Sequence, residues 1–132
     1  MNAIAEDVKL MPKLDLGCGV NKKPGFIGVD CLKLDGVDEI VDLKKPWPWK
    51  DNSVAEAHCS HFVEHLTGRE RIFFCNELYR VLVPGGTAQL ITPHWSSARA
   101  YGDMTHQWPP VSEFWFYYLD KNWRKINAPH DD

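Results

Sequence analysis

Short apolar runs alternate with one long amphipathic stretch, the signature of strands and helices taken in turn. "KLDLGC" (Lys13 to Cys18), "GFIGVD" (Gly25 to Asp30) and "DEIVDL" (Asp38 to Leu43) have the length and spacing of strands. "SVAEAHCS" (Ser53 to Ser60) is a fourth, less apolar strand, and "TAQLITP" (Thr87 to Pro93) a fifth, stopped by its proline. Between these two, a helix is predicted from about Gly68 to Leu82. Thr67 and Glu70 have the spacing of a capping box, in which side chain and backbone satisfy each other at a helix start. Ile72, Cys75, Tyr79 and Leu82 recur at helical spacing, Phe74, Leu78 and Val81 widen the apolar stripe, and Pro84 to Gly86 end it. A strand, a helix and a parallel strand in this order form a right-handed crossover, the unit of a doubly wound sheet. Beyond Pro93, "VSEFWFYYLDKNW" (Val111 to Trp123) fits a helix capped by Ser112 or a strand favoured by its aromatics; length and cap select the helix.

Composition narrows the setting. With 132 residues, 44% of them hydrophobic and 25% charged, the chain is expected to be one globular domain. No apolar run has the length of a membrane span, and the acidic, interrupted start "MNAIAEDVKLMPK" is unlike a signal peptide, so a cytoplasmic protein without a membrane partner is expected. Cys18, Cys31, Cys59 and Cys75 are scattered, without a CxxC pair, and are read as reduced core thiols. Fifteen basic against eighteen acidic residues give a net charge of -3, which argues against nucleic acid as a partner.

The candidate chemistry begins where the first strand breaks. In a doubly wound sheet, ligands bind beyond the carboxyl ends of the strands, where Gly17 and Gly19 bring bare backbone close. A dinucleotide fold needs a third glycine further along the GxGxxG pattern, and that position is Lys22; no GK[ST] follows either. Asp30, ending the second strand, can accept hydrogen bonds from both hydroxyls of a ribose. Ribose machinery without phosphate machinery suits an adenosyl group carrying an amino acid at its 5′ end, and leaves a dinucleotide oxidoreductase as a distant alternative.

These residues resemble the class I S-adenosylmethionine-dependent methyltransferases, in particular their small type 11-like group. "LDLGCG" is similar to the family's first motif, with Asp15, Gly17, Cys18 and Gly19 in its acid and glycine segment. Asp30 matches the ribose-binding acid, and "VDL" (Val41 to Leu43) resembles the segment whose Asp42 and Leu43 approach adenine. "CSHFVEHL" (Cys59 to Leu66) is similar to the segment after strand four, which places Ser60 and His61 near the methionyl part. The resemblance runs from about Lys13 to Pro93 and implies a Rossmann-like, mainly parallel sheet of about five strands, with S-adenosyl-L-methionine as cofactor. It also implies methyl transfer to an unidentified acceptor; a degenerate protein that binds the cofactor without transfer is the alternative.

Two departures from the family follow. The short span from Gly19 to Asp30 replaces the usual first helix by the "NKKPG" turn, and too little chain follows Pro93 for the terminal hairpin of strands six and seven. A C-terminally truncated sheet leaves strand five as an edge, through which a homo-oligomer is expected to form.

Three candidate catalytic residues are singled out. His61 can accept a proton, since an ordinary imidazole titrates in the right range. Asp103 and His106 lie on "HWSSARAYGDMTHQWPP" (His94 to Pro110), read as the acceptor side, where they serve acceptor contacts or acid-base chemistry or else stabilise the loop by their own hydrogen bonds, and where Trp95, Tyr101 and Trp108 line a pocket or cover the sheet. No metal is expected, because His58 on a strand and His65 on the following helix keep His58, His61 and His65 from converging. Trp47 and Trp49 flank Pro48 in a stiff connection and are read as packing residues.

Overall fold

A computed structural model of the chain describes residues 8 to 130. Five strands form one sheet: β1 (Lys13–Leu16), β2 (Ile27–Asp30), β3 (Glu39–Ile40), β4 (Val54–Ser60) and β5 (Leu82–Ile91). Their order is β3-β2-β1-β4-β5 and every pairing is parallel. The fold is α/β and Rossmann-like, as the alternation of elements requires. The chain reverses its direction of travel across the sheet between β1 and β4, which makes the carboxyl ends of those strands the topological switch point.

Between β4 and β5 lie a 3-10 turn (Val63–His65) and helix α1 (Gly68–Val81). The capping box is present: the Thr67 amide donates to the Glu70 carboxylate at 2.8 Å, and the Glu70 amide to the Thr67 hydroxyl at 3.4 Å. The buried face of α1 differs from the expected stripe. Arg71, Phe74, Leu78 and Val81 are buried, whereas Ile72 is 63% and Tyr79 86% exposed. At about 100° per residue, a face centred on Phe74 and Leu78 turns both of those residues outward. Phe74, Leu78 and Val81 join Leu14, Leu16, Val29, Ala57 and Cys59 in a continuous core.

Other boundaries moved for local reasons. β3 keeps only two residues, because Asp42 draws the chain into a turn by accepting from the Lys44 amide with Oδ1 and the Lys45 amide with its carbonyl. Pro84 to Gly86 do not separate helix from strand. They lie inside β5 at a register shift against β4, a bulge that accommodates Gly85 at φ +81°. The aromatic segment is two short helices, α3 (Glu113–Tyr117) and α4 (Lys121–Asn127), after a single turn α2 (Arg99–Gly102). Ser112 makes no side-chain cap; Asp120 instead caps α4 by accepting from the Asn122 and Trp123 amides, so a new helix starts where one was expected to continue.

Trp47 is buried against Phe74, and Trp49 stacks edge-on to Trp47 while donating to Glu39, so this pair is structural. Of the four free thiols Cys59 is buried, Cys18 and Cys75 are half-buried and Cys31, just past β2, is exposed, which corrects its reading as a core residue. Among the described residues β5 pairs with β4 alone and forms the edge of the sheet, with no sixth or seventh strand. No helix among them is long and apolar enough to cross a membrane.

Candidate functional site

The loop leaving β1 turns twice through the left-handed region, at Gly17 (φ +70°) and Gly19 (φ +55°), which side chains disfavour by about 1–2 kcal/mol. Gly17 is also closed in by a neighbour: a Cβ there would stand 2.7 Å from the Phe62 ring. The amides of Gly17 and Cys18 both donate to the Val29 carbonyl, at 2.8 and 3.1 Å, and the Gly19 amide donates to Asp30 Oδ2 at 3.0 Å. Three successive N–H groups, which in a phosphate loop would point at an anion, are directed into the protein instead. The turn that follows contains no helix, so the loop does not run into the helix N-terminus that a dinucleotide fold places after it. Lys22 pairs with Asp38 at 2.8 Å, and the Lys23 amide donates to Asp15 Oδ2 at 2.7 Å.

Asp30 sits at the end of β2 with Oδ1 accepting from the Leu32 amide and Oδ2 from that of Gly19. The Cys31 thiol is a further hydrogen-bond partner of this carboxylate, which still has acceptor capacity for a hydroxyl group. Gly17, Asp30, Asp42 and Leu43 line one small pocket of about 40 Å³, together with Phe62, Cys31, Val41 and Lys44. Asp15 is not among them. It is buried beneath the loop, with its second oxygen 3.0 Å from His58 Nδ1, and supports the turn from below. Ser60 ends β4 beside Ile91 of β5.

His61 follows Ser60 with φ +54°, a conformation uncommon outside glycine, held by its amide donating to the Ile91 carbonyl at 2.8 Å. Its imidazole is exposed, and Nδ1 lies 3.2 Å from Glu64 Oε1. Because that carboxylate oxygen accepts, Nδ1 carries the proton and Nε2 is free to take one.

On the loop after α2, Asp103 Oδ1 accepts from both the amide and the hydroxyl of Thr105, at 2.8 and 2.7 Å, and these bonds hold its carboxyl below the usual range. His106 Nδ1 donates to the Ala100 carbonyl at 3.1 Å, and its Nε2 stands 3.8 Å from Asp103. The loop is pinned to the segment after β4: the Gln107 amide donates to the Glu64 carbonyl, and the buried Arg71 guanidinium donates to the carbonyls of Val63, Leu66, Gln107 and Pro109. Trp95, Tyr101 and Trp108 are exposed and do not line this pocket.

Phe62, Glu64 and Arg71 were not singled out from the sequence, although Glu64 stands in "HFVEH", where three proton-binding side chains fall close together. A larger cavity, about 570 Å³, lies on the outer side of α1 against α3 and α4, lined by Ile72, Cys75, Trp115 and Leu119, and shares no residue with the glycine loop.

No protein-family profile and no curated protein sequence matches the chain. Among solved structures it is similar to the crystal structure of a SAM dependent methyltransferase from Archaeoglobus fulgidus, with a TM-score of 0.62 and 24% identity over 88% of this chain. The match spans 62% of the length of that protein. At this identity the likeness concerns architecture, and the parallel sheet order supports it independently. The chain has a class I methyltransferase-like, Rossmann-type α/β fold.

Proposed function

We propose that the chain binds S-adenosyl-L-methionine at the carboxyl ends of β1 and β2 and transfers its methyl group to an acceptor held near His61. The observation that carries this reading is the loop from Gly17 to Gly19. Its amides are satisfied internally while Asp30 beside it keeps acceptor capacity, an arrangement of acceptors that fits a ribose and a cationic sulfonium better than a phosphate. When bound, the sulfonium supplies an already activated methyl group. Asp30 holds the ribose hydroxyls, Asp42 and Leu43 flank the adenine, and Phe62 closes the pocket above Gly17. His61, oriented by Glu64, takes the proton of the acceptor at Nε2. Asp103 remains ionised and, with His106, positions the acceptor loop.

A second reading, binding without transfer, is favoured by Asp103 and His106, both of which are engaged in hydrogen bonds of their own loop. Calorimetric titration with S-adenosylmethionine, its demethylated product and NAD, followed by a methyl-transfer screen, separates the readings. Binding of the first two with turnover supports transfer, binding without turnover supports the second reading, and preference for NAD overturns both. Asp30→Asn is expected to weaken adenosyl binding by about 1.5–3 kcal/mol in a folded chain. Alanine at Asp103 or His106 should lower turnover with cofactor affinity nearly intact.

A further inference from the structure

Of His58, His61 and His65, only His65 is brought into a cluster with a second imidazole among the described residues. His58 turns to Asp15 beneath the glycine loop. His65, at the end of the 3-10 turn, meets His106 from the loop after α2, with ring centroids 4.8 Å apart. With Glu64 they form a trio in which one ligand-capable atom of each lies within 4.8 Å of the others.

The protonation of this trio follows from its neighbours. The Thr105 hydroxyl donates to Asp103 Oδ1, so toward His65 Nδ1, at 3.0 Å, it can only accept. Nδ1 of His65 therefore carries the proton and Nε2 a lone pair. His106 Nδ1 faces the Ala100 carbonyl, which also only accepts, so in the neutral ring the lone pair is on Nε2, which stands 3.8 Å from Asp103 Oδ2. Metal-binding imidazoles are commonly oriented in this way, the second nitrogen donating to a carbonyl or to a chain that ends in a carboxylate.

Glu64 supplies the anion. It is 5% exposed, Oε1 is occupied by His61, and Oε2 is buried with no hydrogen-bond partner among the described residues. A buried carboxylate oxygen without a donor is an uncompensated group, and a cation satisfies it. The buried Arg71 guanidinium acts on Glu64 through space and gives it no hydrogen bond. Its hydrogen bonds run to backbone carbonyls on either side of the trio, at Val63 and Leu66 and at Gln107 and Pro109, so it fixes the two segments that carry the three side chains.

We propose that Glu64, His65 and His106 bind one divalent transition-metal ion, Zn²⁺ before others, leaving a coordination position open to water or a ligand oxygen. Two imidazoles and one carboxylate select borderline ions over Mg²⁺ and Ca²⁺. Ligands about 2.0–2.1 Å from a tetrahedral ion stand roughly 3.4 Å apart, so the trio contracts by at most about 1.5 Å on binding. The site does not depend on the methyl-transfer reading, because it is assayed with neither cofactor nor acceptor.

The test is titration of the metal-stripped full chain with Co²⁺ and then Zn²⁺, read by absorption and calorimetry. Saturation at one equivalent is expected, with the visible bands of a nitrogen and oxygen site, no thiolate charge-transfer band, displacement by Zn²⁺ and no saturable response to Mg²⁺. His65→Gln and His106→Gln should each lower affinity at least tenfold. His94→Gln, an exposed imidazole held by Ser96 and Glu113, should leave it unchanged. The histidine variants carry the decision because neutralising Glu64 beside the buried Arg71 can unfold the turn. A thiolate band, equal binding of Mg²⁺, absence of saturation at one equivalent, or unchanged affinity in the double histidine variant overturns the proposal.

Discussion

The glycine loop and the histidine corner both leave the carboxyl ends of strands, and they are built by opposite means. At the glycine loop the backbone does the shaping: positive φ angles, amides turned inward, and a carboxylate only eleven positions from the glycine it anchors. At the histidine corner the side chains do it. Arg71 reaches carbonyls 36 and 38 positions away, and Thr105 reaches His65 across 40. A site made by local backbone geometry tolerates loss of distant contacts. One stapled across the chain depends on its clamp.

Arg71→Met should therefore produce the largest effect. It removes hydrogen bonds to four carbonyls and is expected to destabilise the domain by roughly 3 kcal/mol or more, read by denaturant unfolding. Adenosyl binding by the fraction still folded should remain near wild type; parallel loss of both would erase the contrast between the two regions. Gly17→Ala strikes the other side, costing about 1–2 kcal/mol in backbone strain, displacing Phe62 and lowering cofactor affinity at least tenfold. Metal titration of the same variant should be unchanged.

Smaller effects sharpen the comparison. His61→Gly should be about 1 kcal/mol more stable than His61→Ala, since only glycine relieves the positive φ, while both lose turnover. Equal stability would mean that the turn relaxes once the imidazole is gone. Cysteine labelling gives the mildest probe. Burial pushes the Cys75 thiol up to about 11 and that of Cys59 further, so at pH 8 both stay protonated and react slowly. Exposed Cys31, also raised by partial burial and by Asp30, should label first, and S-adenosylmethionine should slow it because Cys31 lines the same pocket.

The same contrast explains what could be read before the structure. Strand order of appearance, the α1 capping box, the turn glycines and the position of Asp30 are encoded in spacings of a few residues, and those expectations match the fold. The buried face of α1 was misread because Ile72 and Tyr79 are apolar yet turned outward, and periodicity alone does not say which of two overlapping stripes meets the sheet. Asp15 is legible as the acid of the first motif, but its bonds beneath the loop to Lys23 and His58 span 8 and 43 positions and emerge only in the fold. The trio of Glu64, His65 and His106 had no local signature, because His106 is brought in by a loop whose path is set by Arg71.

The bulge in β5 bears on how the molecule behaves at high concentration. Pro84 has no amide hydrogen to offer and the bulge skews the strand beside it, so only Thr87 to Ile91 present a regular row of outward backbone groups. At the opposite border, β3 is two residues long and offers almost nothing to pair with. Among the described residues the sheet has one short pairable border and one nearly inert one, so two copies meeting β5 to β5 would exhaust that border and close as a pair instead of extending.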